Sequence, residues 1–318
     1  MLLGIVQNWL TGGSGRIAAP RRAPAAPHAP RARLPVPPPA VLDGAAPPNL
    51  AWPGGRIRVA ETLWGEGFLA PGGQAEITHL TRPMGLSEAA SLLYVGAGTG
   101  GGVRGLASAS GVWVTGFEVD AELAAIAKTR SQKSGLGRRA DIALLDPRKP
   151  DFGAARFNHA LALEPLRGHA AEDEKMLTAI AAAVKRNGQL TLVQLVAEGE
   201  LDIHDPLVAA WLRLERRAPS LPTRLGITTS VRRLGFDVRV VEDISARHMD
   251  QTLQGWNGAL QTMRDDPPTP AEARAIVAEA ELWLLRQRLL RAGKIRLLRW
   301  YGIGKKGSHQ LDTSRPEP

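Results

Sequence analysis

From about residue 60 onward, apolar runs of strand length alternate with amphipathic stretches of helix length. Ser91–Val95 (SLLYV), Val112–Glu118 (VWVTGFE), Asp141–Leu145 (DIALL), Phe157–Glu164 (FNHALALE), Gln189–Val196 (QLTLVQLV), Phe236–Val241 (FDVRVV) and Lys294–Trp300 (KIRLLRW) read as strands. Helices are predicted between them, over 101–110, 121–130, 171–186, 206–217 and 223–234. Such alternation implies parallel strands joined by right-handed crossovers. The predicted fold is therefore α/β: a doubly wound, Rossmann-like, mostly parallel seven-stranded sheet. Two more helices, near 245–264 and 270–292, form a helical insertion before the last strand, where they could cover the mouth of a site. The second has a clear start, with Thr269 as cap, Pro270 in the first turn and Glu272 closing a capping box. Its Trp283, Leu284, Leu285, Leu289 and Leu290 read as packing residues; His248, Trp256 and Trp300 read as core packing first and as pocket lining second.

The two ends of the chain follow no such pattern. Residues 14–54 are rich in Pro, Ala and Arg and offer little to bury, which predicts a disordered extension over 1–55. The domain proper is expected over 56–244, the insertion and last strand over 245–307, and a flexible tail over 308–318. Charge sharpens this division. The net charge is +9, yet residues 1–42 carry five arginines and no acid, and residues 282–311 carry eight cations and no acid. The middle of the chain is slightly acidic, so a basic nucleic-acid face on the central domain is not expected. Contact with RNA through the basic tail stays open; a solvated face is the simpler reading of those charges. There is no cysteine, which excludes disulfides and thiolate metal sites. No His/acid spacing suggests a metal, and no apolar stretch is long enough for a spanning helix. A cytoplasmic location is expected.

The strongest chemical signal is Tyr94–Gly101 (YVGAGTGG), between a predicted strand and a predicted helix. Glycines there permit a tight turn and let a ligand approach the backbone, while the helix start offers free N–H groups. Glu118 closes the second strand about twenty residues on, where a carboxylate can accept both hydroxyls of a ribose. These residues alone imply a ribose-containing cofactor, either NAD or S-adenosylmethionine.

Four segments resemble class I S-adenosylmethionine-dependent methyltransferases, most nearly phosphoethanolamine-type small-molecule enzymes. Val95–Gly101 (VGAGTGG) resembles their glycine motif, Gly116–Leu123 (GFEVDAEL) their second-strand motif, and Val184–Leu190 (VKRNGQL) the segment entering their fifth strand. Leu63–Gly73 (LWGEGFLAPGG) resembles the segment that precedes the first strand in those enzymes. The resemblance implies S-adenosyl-L-methionine as cofactor. It puts Gly96, Ala97, Gly98 and Gly100 under its methionine portion, Glu118 on the ribose, Val119 against the adenine, and Asp146 at the adenine amino group. Asp146 reads equally well as a turn former before Pro147. The chain departs from the family pattern at Tyr94, where an acid is usual, at Asn158, where Asp is usual, and at Arg186–Gly188.

Methyl transfer needs alignment more than a catalytic dyad. Glu164 and His169, just past the fourth strand, are the candidate catalytic residues: Glu164 to stabilise a cationic amine or accept a proton, His169 as base or substrate ligand. A helix-cap acid and a plain loop histidine are the competing readings. Trp64, Phe68, Gly72 and Gly73 are candidates for a lid, or else pack a helix before the first strand. The expected activity is methyl transfer to N or O of a small-molecule acceptor. The alternatives are an inactive methyltransferase-like binding protein, which the departures at Tyr94 and Asn158 motivate, and an RNA or protein methyltransferase.

Overall fold

The computed structural model describes residues 54–305. Most of the expected extension and all of the expected tail lie outside the described residues. A helix, α1 (Gly54–Trp64), begins within the last residues assigned to the extension. It is followed by α2 (Gly73–Thr81) and a short 3-10 turn at Arg82–Met84.

The strands are β1 (Ser91–Val95), β2 (Trp113–Glu118), β3 (Ala140–Leu144), β4 (Phe157–Leu163), β5 (Val184–Ala197), β6 (Phe236–Asp243) and β7 (Ile295–Gly304). They form one seven-stranded sheet in the order β3-β2-β1-β4-β5-β7-β6. The first five pair in parallel, and β7 lies antiparallel between β5 and β6. The order reverses between β1 and β4, and the crevice outside their carboxyl ends is where such sheets take ligands.

The crossover helices are α3 (Gly101–Ser110), α4 (Ala121–Lys133), α5 (Ala170–Ala183), α6 (Pro206–Glu215) and α7 (Arg224–Arg233). Several starts are chemically marked. Asp120 accepts from the Glu122 and Leu123 N–H groups to cap α4, Asp205 caps α6 ahead of Pro206, and Thr223 caps α7. Apolar clusters fill both faces of the sheet. One gathers Leu92, Val103, Val114, Trp211 and Leu289; the other gathers Leu93, Phe117, Phe157, Ile180 and Trp300.

The insertion is two helices, α8 (Ser245–Asp265) and α9 (Pro270–Arg291). The predicted Thr269–Glu272 capping box forms at the start of α9. Trp283, Leu285, Leu289, Leu290, His248, Trp256 and Trp300 are buried, while Leu284 is only half-buried. Both helices pack on α1, and α9 also packs on α6. The main misplaced boundary is at β5. The helix expected to reach 186 ends at Ala183, because Val184 already pairs with Phe157 of β4. Asn187, with φ 58°, then bends the strand in a conformation that Asn tolerates better than most residues.

Candidate active site

β1 ends at Val95, and the chain turns through three positive-φ glycines, Gly96 (85°), Gly98 (55°) and Gly100 (84°), into α3. Gly96 is required by space as well as by φ: a Cβ there would lie 2.7 Å from the Leu163 carbonyl of β4. The Gly96 and Ala97 N–H groups donate to the Phe117 carbonyl at 3.0 and 3.1 Å, binding the loop to the end of β2.

Glu118 closes β2 and is 7% exposed. Its carboxylate accepts from the Gly98 N–H (2.7 Å) through one oxygen, and from the Val119 (2.9 Å) and Asp120 (3.1 Å) N–H groups through the other. Burial pushes this carboxyl above its ordinary range, against the pull of those backbone donors. Val119 beside it is 40% exposed, an apolar side chain left open next to the loop. Asp146, exposed past β3, accepts from the Arg148 N–H at 2.9 Å, the turn geometry that was one of its two expected readings.

The segment between α1 and α2 rests on the glycine loop. The Gly101 N–H donates to the Gly67 carbonyl at 3.0 Å, and a Cβ on Gly67 would lie 2.6 Å from the Gly101 Cα. The Phe68 ring and Leu69 border Gly101 and Gly98. Gly72 (φ 92°) starts α2, and a Cβ on Gly73 would lie 2.6 Å from the Trp64 carbonyl. Trp64 is buried, edge-on to Trp283 at 5.2 Å, so it joins α1 to α9 by packing and is not a free lid. Glu61 of α1, which sequence reasoning missed, accepts from the Gly67 N–H (3.0 Å), the Thr99 hydroxyl (3.0 Å) and Arg130. Burial raises its pKa, but these bonds, Arg130 first, more than offset that and hold it below the usual range.

On the other side of the crevice, Glu164 follows β4 with a positive φ of 45°, a strained conformation for a non-glycine residue. Arg217 and Arg286 both donate to its carboxylate. Arg217 also reaches Glu215 at 2.8 Å, and Arg286 reaches Glu215 at 3.3 Å, closing a ring of two acids and two buried arginines. Burial raises the Glu164 pKa, but Arg286 and then Arg217 overcome it and hold the carboxyl at about 2. A carboxylate with both oxygens engaged by guanidinium groups is a poor proton acceptor at neutral pH. The geometry therefore corrects the expectation that Glu164 takes a proton. His169, exposed at the start of α5, makes no cap bond and keeps an accessible ring.

Around the Trp283 ring lie His248 at 5.8 Å and Arg286 at 5.4 Å. Trp64 Nε1, His248 Nε2 and Arg286 Nε are buried with no hydrogen-bond partner, which is costly unless something else satisfies them. Burial, and then the neighbouring Arg286, lower the His248 pKa to about 3, so this imidazole is neutral. The departures lie at different depths. Asn158 accepts from the Ser91 N–H (3.0 Å) and hydroxyl (2.9 Å), at the amino ends of β1 and β4 and away from the crevice. Tyr94 is buried below α3, with its hydroxyl against Gly102. A hollow of about 570 Å³ between the β3–β4 connection and α5 touches none of the candidate residues.

Among the described residues, no helix is long and apolar enough to cross a membrane, and no group of acids and histidines has the arrangement of a metal site. A family model described as "Mycolic acid cyclopropane synthetase" matches residues 68–282. Phosphoethanolamine N-methyltransferase 2 of Caenorhabditis elegans is 26% identical over 144 residues, 45% of this chain and 32% of that protein. Methyltransferase GfsG of Streptomyces halstedii is 24% identical over 177 residues, 56% of this chain and 63% of that protein. Among solved structures, the Haemonchus contortus phosphoethanolamine N-methyltransferase 2 complex with phosphomonomethylethanolamine and S-adenosylhomocysteine superposes with a TM-score of 0.67 at 21% identity. That match covers 79% of this chain and 57% of the other. The chain thus spans less than two thirds of each of these relatives.

Proposed function

The chain belongs to the mycolic acid cyclopropane synthetase family, and from that premise we propose that it is an S-adenosylmethionine-dependent methyltransferase acting on N or O of a small-molecule acceptor. The observation that carries the reading is Glu118: a buried carboxylate whose hydrogen bonds all come from backbone N–H groups, beside a positive-φ glycine loop at the point where strand order reverses. The residues fit the cofactor. Gly96, Ala97, Gly98 and Gly100 leave the loop bare of bulky side chains, Glu118 can exchange a backbone donor for ribose hydroxyls, and exposed Val119 offers an apolar surface to a purine. Asp146 keeps a carboxylate oxygen for an exocyclic amine. S-adenosylmethionine supplies an electrophilic sulfonium methyl group.

The chain's own residues supply alignment and charge. Glu164 stays ionised and fixes Arg217 and Arg286 at the edge of the crevice; its part is electrostatic. His169, exposed at the start of α5, is the candidate to take a proton from the acceptor. Phe68, Leu69, Gly72 and Gly73 hold the α1–α2 connection over the loop as a cover. The test is incubation with S-adenosylmethionine and a panel of amines, phenols and alcohols, reading the S-adenosylhomocysteine formed. Turnover with one acceptor class, reduced in His169→Ala and abolished in Glu118→Ala, supports the reading. Absence of turnover across the panel, with no cofactor bound, contradicts it.

A further inference from the structure

We propose that Glu61 is a positioning residue for the cofactor: it ties the glycine loop and the α1–α2 connection to α4, and so sets how fast the cofactor leaves. This inference rests on the functional reading above and deepens it.

Glu61 stands near the end of α1. One of its carboxylate oxygens takes three donors: the Gly67 N–H at 3.0 Å, the Thr99 hydroxyl at 3.0 Å and the Arg130 guanidinium. The other oxygen accepts from the second terminal nitrogen of Arg130 at 3.1 Å. Each donor belongs to a different segment around the proposed cofactor site. Gly67 lies in the α1–α2 connection, Thr99 in the glycine loop, and Arg130 in the last turn of α4, the helix that follows Glu118. Thr99 is fully buried, and its carbonyl accepts from Arg104 at 3.0 Å. An acid that only paired with an arginine would not also collect a loop hydroxyl and the N–H of a connecting segment. Hydrogen bonds to an ionised acceptor are roughly twice as strong as neutral ones, so these are firm ties.

The loop is thus held by two acids with different parts. Glu118 accepts from the Gly98 N–H at 2.7 Å, and Glu61 from the hydroxyl of the next residue, Thr99. On the reading above, Glu118 gives up a backbone donor when a ribose arrives. The loop then needs an anchor that does not exchange. Glu61 is suited to that part: its burial is outweighed by Arg130 and its other donors, so it stays ionised, and those donors all come from the protein. The same carboxylate governs the cover. A Cβ on Gly98 would lie 3.3 Å from Leu69 Cδ1, and one on Gly101 2.9 Å from the Phe68 ring, so the connection lies directly on the loop. A ligand seated along the loop is bordered by this segment, and its departure is coupled to the segment's motion. Gly65 and Gly67, with φ of 97° and 86°, are the swivel points. Gly67 is held through its N–H by Glu61 and through its carbonyl by the Gly101 N–H. Removing the Glu61 carboxylate releases the first of these holds and the Thr99 hydroxyl together.

The test compares full-length wild type with Glu61→Ala, Glu61→Gln and Thr99→Val. Two quantities are read: the dissociation rate of S-adenosylhomocysteine by stopped-flow displacement, and amide hydrogen exchange over residues 65–73 without ligand. Glu61→Gln keeps an oxygen for the Gly67 N–H and the Thr99 hydroxyl while losing the charge. Thr99→Val removes one donor at similar volume, and it carries the test if Glu61→Ala does not fold. The expected result is dissociation about tenfold faster in Glu61→Ala and about threefold faster in Thr99→Val, with association rates unchanged. Glu61→Gln should fall between Glu61→Ala and wild type, and exchange over 65–73 should be faster in Glu61→Ala than in Glu61→Gln. Wild-type dissociation rates in Thr99→Val and Glu61→Ala overturn the proposal. So does a Glu61→Gln as impaired as Glu61→Ala, which would leave only the ion pair with Arg130. Failure of the wild-type protein to bind S-adenosylhomocysteine would instead undo the methyltransferase reading and the cofactor role with it. The ligand-free exchange would still decide the tie, and unchanged exchange in Glu61→Ala would refute it.

Discussion

Glu118 and Glu164 stand at the carboxyl ends of β2 and β4, on either side of β1, and both carboxyls lie in low-dielectric surroundings. Their chemistry diverges because of what holds them. Glu118 has only backbone N–H donors, so burial wins and its pKa rises. Glu164 has two guanidinium groups, so attraction wins and its pKa falls to about 2. The first can trade partners with an incoming hydroxyl at little electrostatic cost. The second is locked, and freeing it would leave two buried cations to Glu215 alone. Residue type and position on the sheet are alike; the partners alone separate a ligand-ready acid from a structural one.

The largest test of this contrast is Glu164→Ala. Leaving two buried guanidinium groups with Glu215 as their one shared carboxylate should cost about 3–5 kcal/mol of stability, read by denaturant unfolding. A loss under ~1 kcal/mol would mean the ion ring contributes little and the contrast is wrong. Next is Gly67→Ala. The added Cβ would press on the Gly101 backbone in a conformation that already disfavours side chains, so a loss of roughly 1–3 kcal/mol is expected, together with weakened cofactor binding. An unchanged midpoint and affinity would show that the α1–α2 connection does not rest on the glycine loop in solution.

Acid should act on the locked side. For His248 the folded pKa of about 3 lies below its ordinary value, so the unfolded chain binds more protons and stability falls as pH drops from about 6.5 towards 3. For Glu164 the folded pKa is also depressed, and its contribution is lost from about pH 4.5 down to about 2. The melting temperature should therefore decline below about pH 6.5, and His248→Gln should flatten the first part of that decline. A profile identical to wild type would remove His248 from the account. The smallest effect is expected for Asn158→Ala. Losing its bonds to Ser91 should cost about 1 kcal/mol and leave cofactor affinity unchanged, because the residue sits at the amino end of the sheet.

Much of the fold was legible from local chemistry. Alternating apolar runs placed the strands, and Thr269, Pro270 and Glu272 placed the start of α9. A doubly wound, mostly parallel sheet was expected from the crossovers; the order β3-β2-β1-β4-β5 and the antiparallel place of β7 between β5 and β6 come from the structure. The early start of β5 was not legible, because it depends on Val184 meeting Phe157 across the sheet. The glycine loop and Glu118 were legible as one unit, since a turn and a carboxylate about twenty residues later are joined by adjacent parallel strands. The locked state of Glu164 was not: its arginines lie 53 and 122 residues away, and one comes from the inserted helix. Glu61 escaped notice for the same reason, since only folding brings it to Thr99 and Arg130.

The central claim is that Glu118 and the glycine loop hold S-adenosylmethionine. The most direct measurement is calorimetric titration of the full-length protein with S-adenosylmethionine and S-adenosylhomocysteine, wild type against Glu118→Ala. The account predicts saturable one-to-one binding that Glu118→Ala abolishes while the variant stays folded. Absence of binding to the wild type, or undiminished binding to the variant, would contradict it.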